Sequence, residues 1–210
     1  MMFTLFACGS SQKAFDASKA AYDQISIAYG ITEQIGSDIY EVWRMAIYDD
    51  EDVMDDGAEF LAKELNLSEE EIIDGVAYTM ASICDDDWNT LSDVEKDRYR
   101  DYADYIFYSF EDDLFSFCVL VVSNAYIVNG EFDLAEAALE EAKVQMKQLS
   151  EKYSDYEHYP NLKGYYTTTR SFFDFYNDPE GSFEQLKTTI NDYRNEARDY
   201  INDLDYIFEE

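Results

Sequence analysis

The chain has 210 residues, with 47 acids against 15 bases and a formal charge of -32 at pH 7. Apolar residues make up 47% and include 19 Tyr and 14 Phe, with only 8 Gly and 2 Pro; disordered acidic chains lack such aromatic content, so the acidity coats a folded surface. That surface repels DNA, RNA and anionic headgroups, which argues against nucleic acid as a ligand, and attracts divalent cations, polycations and basic protein patches.

At the N-terminus, Leu5-Phe6-Ala7-Cys8-Gly9-Ser10-Ser11 places an aliphatic residue three before a cysteine, a small residue directly before it and a polar run after it. This stretch resembles the lipobox of bacterial lipoproteins. The resemblance implies a diacylglyceryl group on Cys8, attachment to the bacterial cell membrane through that lipid, and an extracytoplasmic address. Residues 1–12 then read as the remnant of a signal peptide plus a tether, with Met1 an internal start, and 13–210 as a single acidic helical domain. Phe6 is bulkier than the residue usual at its place, and seven residues are too few for a complete signal.

From Ala14 onward the period is helical. Ala14, Ser18, Ala21, Ile25, Ala28, Thr32, Ile35, Ile39, Val42 and Ala46 step four and three in turn, flanked by Phe15, Tyr22, Tyr29 and Trp43, which predicts one helix about 50 Å long with a broad buried face. The last segment repeats the pattern through Phe183, Leu186, Ile190, Tyr193, Ala197, Tyr200, Leu204 and Ile207. Neither seam can be left in water, so the first and last helices are expected side by side.

Between them, Ser68 with Glu71 and Ser92 with Glu95 form capping boxes that predict helix starts near 69 and 93. Asp113 to Val128 is the most apolar stretch, shorter than the roughly 20 residues a bilayer span needs, and reads as a central buried helix. Tyr99, Tyr102, Tyr105, Ile106 and Phe110, and again Tyr165, Tyr166, Phe172, Phe173 and Tyr176, have helical spacing and read as aromatic core, with surplus tyrosine available for a sugar or peptide groove. Cys84 and Cys118 read as two buried thiols. No alternating run marks a strand. The fold class is all-α, a bundle of six to seven helices with long first and last members.

Tyr126, Gly130, Phe132, Asp133, Ala135, Leu139 and Ala142 fall on the offsets of a helix-turn-helix repeat, and residues 116–149 resemble one tetratricopeptide repeat. The pattern does not recur to either side, so a lone helical hairpin with the same packing is the competing reading.

Catalytic and metal motifs fail on residue count. DDEDVMDDG offers Asp52, Asp56 and Gly57 as positions one, five and six of a calcium loop, but Met54 and Lys63 stand where oxygen ligands belong; DDDWNTLSDVEK, from Asp85, has Thr90 for the glycine and ends in Lys96. His158, the only histidine, rules out two-histidine metal motifs and stands in a turn beside Pro160. No CxxC pair, phosphate loop or nucleophile elbow occurs, and no cofactor or metal site is expected. Three functions remain: a non-enzymatic cell-surface binding or scaffold module with a basic protein or peptide partner; a cytosolic acidic mimic of DNA that blocks a basic nucleic-acid-binding protein; and a hydrolase of surface glycans working through two carboxylates.

Overall fold

The structure, a computed structural model, describes the backbone of residues 4–49, 55–109, 114–176 and 183–208, and the side chains of these except 4–11, 49, 55 and 103–109. It is an all-α helical bundle, with no strand among the described residues. The helices are α1 (Thr4–Arg44), α2 (Asp55–Leu65), α3 (Glu69–Ile83), α4 (Asp93–Ser109), α5 (Leu114–Val128), α6 (Glu131–Lys152), α7 (Tyr159–Phe175) and α8 (Phe183–Phe208). A π-helical turn, Met45–Asp49, follows α1, and a 3-10 turn, Trp88–Thr90, precedes α4.

Eight α-helices stand among the described residues, more than the six or seven expected, and one of them, α2, takes in Gly57. Gly57 is buried inside α2, as are Ala58 and Leu61, so it is a helix residue and not the glycine of a sharp turn. The predicted starts at 69 and 93 hold. Glu71 N–H donates to Ser68 Oγ at 3.3 Å while Ser68 N–H donates to Glu71 Oε2 at 2.8 Å, a complete capping box. At α4 the return half is present, Ser92 N–H to Glu95 Oε2 at 2.8 Å. Pro160 sits in the first turn of α7, where its missing N–H costs nothing.

The chain gathers into two compact units, Met1–Glu33 with Asp133–Asp178 and Thr188–Glu210, and Gln34–Phe132 with Pro179–Lys187. The sequence reading drew one domain over 13–210; both long helices contribute residues to each unit. In the first unit, Ala21, Ile25, Ala142, Leu149, Leu162, Tyr165, Ala197 and Leu204 share one core supplied by α1, α6, α7 and α8. Here the two seams meet as expected: the Phe15 and Tyr22 rings lie tilted against Phe208 at 5.5 and 5.2 Å, the Tyr22 hydroxyl donates to Asp205, and Arg194 pairs with Glu33 at 2.6 Å. Those pairs run antiparallel, since rising numbers on α1 meet falling numbers on α8. At Gly164 of α7 an added Cβ would lie 2.3 Å from the Tyr200 ring, so this glycine lets α8 lay that ring against the α7 backbone.

In the second unit Ile35, Ile39 and Val42 of α1 are 0–1% exposed, and Tyr40 and Trp43 hold Phe183 at 4.9 and 5.1 Å. Helix α5 is the buried centre that its composition predicts. Phe117, Cys118, Val121, Val122, Ala125 and Tyr126 are all under 3% exposed, and α5 lies against α2 and α3. A Cβ on Gly75 of α3 would meet Val128 Cγ2 at 2.8 Å, the mark of a close α3–α5 approach. Gly130 follows α5 at φ +83°, a left-handed turn that glycine adopts without strain.

Candidate functional site

Helix α4 carries the candidate site because it is built unlike its neighbours. Among Asp93–Tyr102 no residue is buried, although α4 lies against α3. Polar contacts tie it down instead. Arg100 bridges Asp74 of α3 at 2.5 Å and Asp97 at 2.7 Å, and the Tyr99 hydroxyl donates to Asp86 in the α3–α4 connection.

That connection is locally specified. Cys84 caps α3, Asp85 turns the chain at φ 62°, and Asp87 Oδ1 accepts from Asn89 N–H at 3.0 Å to start the 3-10 turn. Trp88 is held edge-on to Tyr78 at 6.2 Å, with Lys96 Nζ 5.2 Å above its ring, so the aromatic face already engages a cation within the molecule. Beside it a groove of about 360 Å³ is lined by Asp86, Leu91, Glu95, Arg98, Tyr99 and Tyr102. Tyr78 and Tyr102 are 51% and 45% exposed.

The first tyrosine stripe is thus corrected for its described members: Tyr99 and Tyr102 line a surface groove, not a core. Tyr105, Ile106 and Phe110 lie outside the residues whose side chains are described. Of the second stripe Tyr165, Phe172, Phe173 and Tyr176 are core as expected, at most 4% exposed, while Tyr166 is only partly buried.

The electrostatics of the groove suit binding more than acid–base work. Hydrogen bonds from Ser92 hold the Glu95 carboxyl below its ordinary value, the direction opposite to that of a general acid. The hydrogen bond to Asp86 pushes the Tyr99 phenol above its ordinary value, so it stays a protonated donor.

The other sequence candidates fall elsewhere. The Cys8 side chain lies outside the described residues. His158 precedes α7 with its ring 5.2 Å from Tyr156. The reading of two buried thiols is half corrected: Cys118 is buried and its thiol is pushed up to about 12 by burial, whereas Cys84, placed at a helix end rather than on an apolar face, is exposed, and neither is in a disulfide. Ala142 packs in the first unit's core with α1, α7 and α8. Asp52 and Met54 lie outside the described residues. Asp86, Asp87 and Glu95 of the second acidic run are spent on the hydrogen bonds above, and among the described residues no three His, Cys, Asp or Glu side chains gather as metal ligands. No single described helix is long and apolar enough to cross a membrane. No family model, curated protein or solved structure matches the chain.

The assembly of Asp86, Leu91, Glu95 and Arg98 was missed at the sequence level. Its signal was SDVEKDRYRDY, in which tyrosines are the only large apolar groups after Val94 and charges flank each of them.

Proposed function

We propose that the protein is a non-enzymatic helical binding module, tethered to the bacterial cell membrane by lipid on Cys8, whose α4 groove receives a basic segment of a partner protein. The observation that carries the binding half is the α4 face itself. A helix with no buried residue over Asp93–Tyr102 nonetheless forms, with Asp86 and Leu91 before it, one groove lined by two tyrosines, a leucine, two carboxylates and Arg98. An aromatic floor takes the stem and charge of Lys or Arg, while a surface of net charge -32 draws such a segment in. The tether half rests on the resemblance of Leu5–Cys8 to a lipobox and on the polar residues that follow.

Two experiments test the two halves separately. A short amphipathic Lys/Leu peptide, titrated into isotope-labelled protein, should perturb the amides of 86–102 first, and Tyr99→Ala should weaken it about tenfold, equivalent to about 1.4 kcal/mol. Perturbation spread evenly over the surface, unaffected by that substitution, would remove the groove reading. Mass spectrometry of protein expressed with its native upstream sequence should find a diacylglyceryl adduct at Cys8; an unmodified cysteine in the cytosolic fraction removes the tether.

A further inference from the structure

Asp38 is the one buried carboxyl among the described residues, 2% exposed on α1 of the second unit. Its Oδ2 accepts the hydroxyl of Tyr126 from α5 at 2.7 Å, and its Oδ1 accepts Nε2 of Gln34, one turn back on α1, at 2.9 Å. Tyr126 is fully buried. Both donors are neutral. The charged groups acting on the site are Glu64 from α2 and Glu131 from the start of α6, both acids, so an ionised Asp38 has repulsion where a buried carboxylate needs a cation. The protonated acid suits the same place: its O–H becomes a donor, and the Tyr126 oxygen and the Gln34 amide can each accept as well as donate.

We propose that Asp38, Tyr126 and Gln34 form a pH-responsive latch between α1 and α5 that stabilises the fold most while Asp38 is protonated. Ionising it in place meets burial and the repulsion of Glu64 and Glu131, which outweigh the gain in its two hydrogen bonds. Burial, aided by Glu64 and Glu131, pushes the carboxyl up to about 6, against the two hydrogen bonds that favour the ionised form. The Tyr126 phenol is pushed up in turn, by burial first and then by Asp38, so it remains a donor throughout. The folded protein therefore keeps a proton that the unfolded chain, with an ordinary aspartate, has already released. Stability from this site is present at acid pH, falls as pH rises between the ordinary aspartate range and about 6, and is fully lost above that.

The test is urea unfolding of the full chain at pH 5 and pH 7.5, for wild type and Asp38→Asn. Repulsion among the other acids acts on both chains and cancels in the comparison. Across that interval the wild-type unfolding constant should rise about tenfold more than that of the variant. Equal pH dependence in the two overturns the latch. A second reading needs no variant: the Asp38 carboxyl followed by NMR should titrate near pH 6, moving upward in Tyr126→Phe because a hydrogen bond to the ionised form is lost. Titration in the ordinary aspartate range would overturn it equally.

Discussion

Helices α4 and α7 are each 17 residues long and each carries tyrosines at helical spacing, yet Tyr102 of α4 is 45% exposed whereas Tyr165 of α7 is 1% exposed. The difference lies in what flanks the rings. Around Tyr165 on α7 the neighbours are small or uncharged, Gly164, Thr167, Thr168 and Thr169, and Arg170 and Asp174, which flank Phe172 and Phe173, pair with each other. Helix α8 can therefore press against the backbone at Gly164 and lie against Tyr165 and Phe172. On α4 Tyr99 stands between Arg98 and Arg100, and Tyr102 follows Asp101. Burying such a face would strand those charges, and the helix is held by Arg100 to Asp74 instead. Aromatic spacing alone names a face; its flanks decide whether the face is core or surface.

The largest effects should come from breaking the core side of this contrast. Leu204→Asp in the first unit or Ile35→Asp in the second, both fully buried, places a charge without a partner among apolar groups and should cost several kcal/mol, read as loss of the cooperative unfolding transition. Thr188→Asp, on the exposed side of α8, should stay within about 0.5 kcal/mol. Next comes the α7 stripe: Phe172, fully buried and stacked on Tyr193 at 4.9 Å, should cost about 3–5 kcal/mol as Phe172→Ala in urea unfolding.

A smaller loss, about 1 kcal/mol, is expected from Ser68→Ala at the α3 cap. Backbone and side-chain hydrogen bonds from Ser68 hold the Glu71 carboxyl below its ordinary value. Its contribution is therefore complete at neutral pH and disappears as pH falls through the acid range, the reverse of the trend at Asp38. The gap between variant and wild type should narrow on acidification, as the Ser68 hydroxyl loses its ionised acceptor, without closing, because the Glu71 N–H bond to Ser68 Oγ does not titrate.

How legible these features were follows from their range. Caps at Ser68 and Ser92 rest on residues three apart, and the long seams repeat one local rule over many turns, so both were readable and both stand where expected. Cys84 was misread because its apolar neighbours Ile83 and Ala81 do not reveal that α3 ends there. Gly57 invited a calcium-loop count because acids precede it, whereas it lies inside α2. Asp38 left a faint trace, a charge set between Ile35, Ile39 and Val42 on the buried arc of α1, but its partner Tyr126 lies 88 positions away. The groove was least visible: its lining falls within residues 86–102, but no periodic pattern in that stretch marks where Asp86 and Leu91 come beside Glu95 and Tyr99.

The central claim, that the α4 face exists to bind rather than to pack, is tested most directly by Tyr102→Ala followed in two assays on the same preparation. Half-exposed Tyr102 should leave the urea midpoint unchanged, within about 0.5 kcal/mol, while the Lys/Leu peptide binds about tenfold more weakly. A stability loss of several kcal/mol with unaltered peptide affinity would show that this tyrosine is core after all and contradict the account.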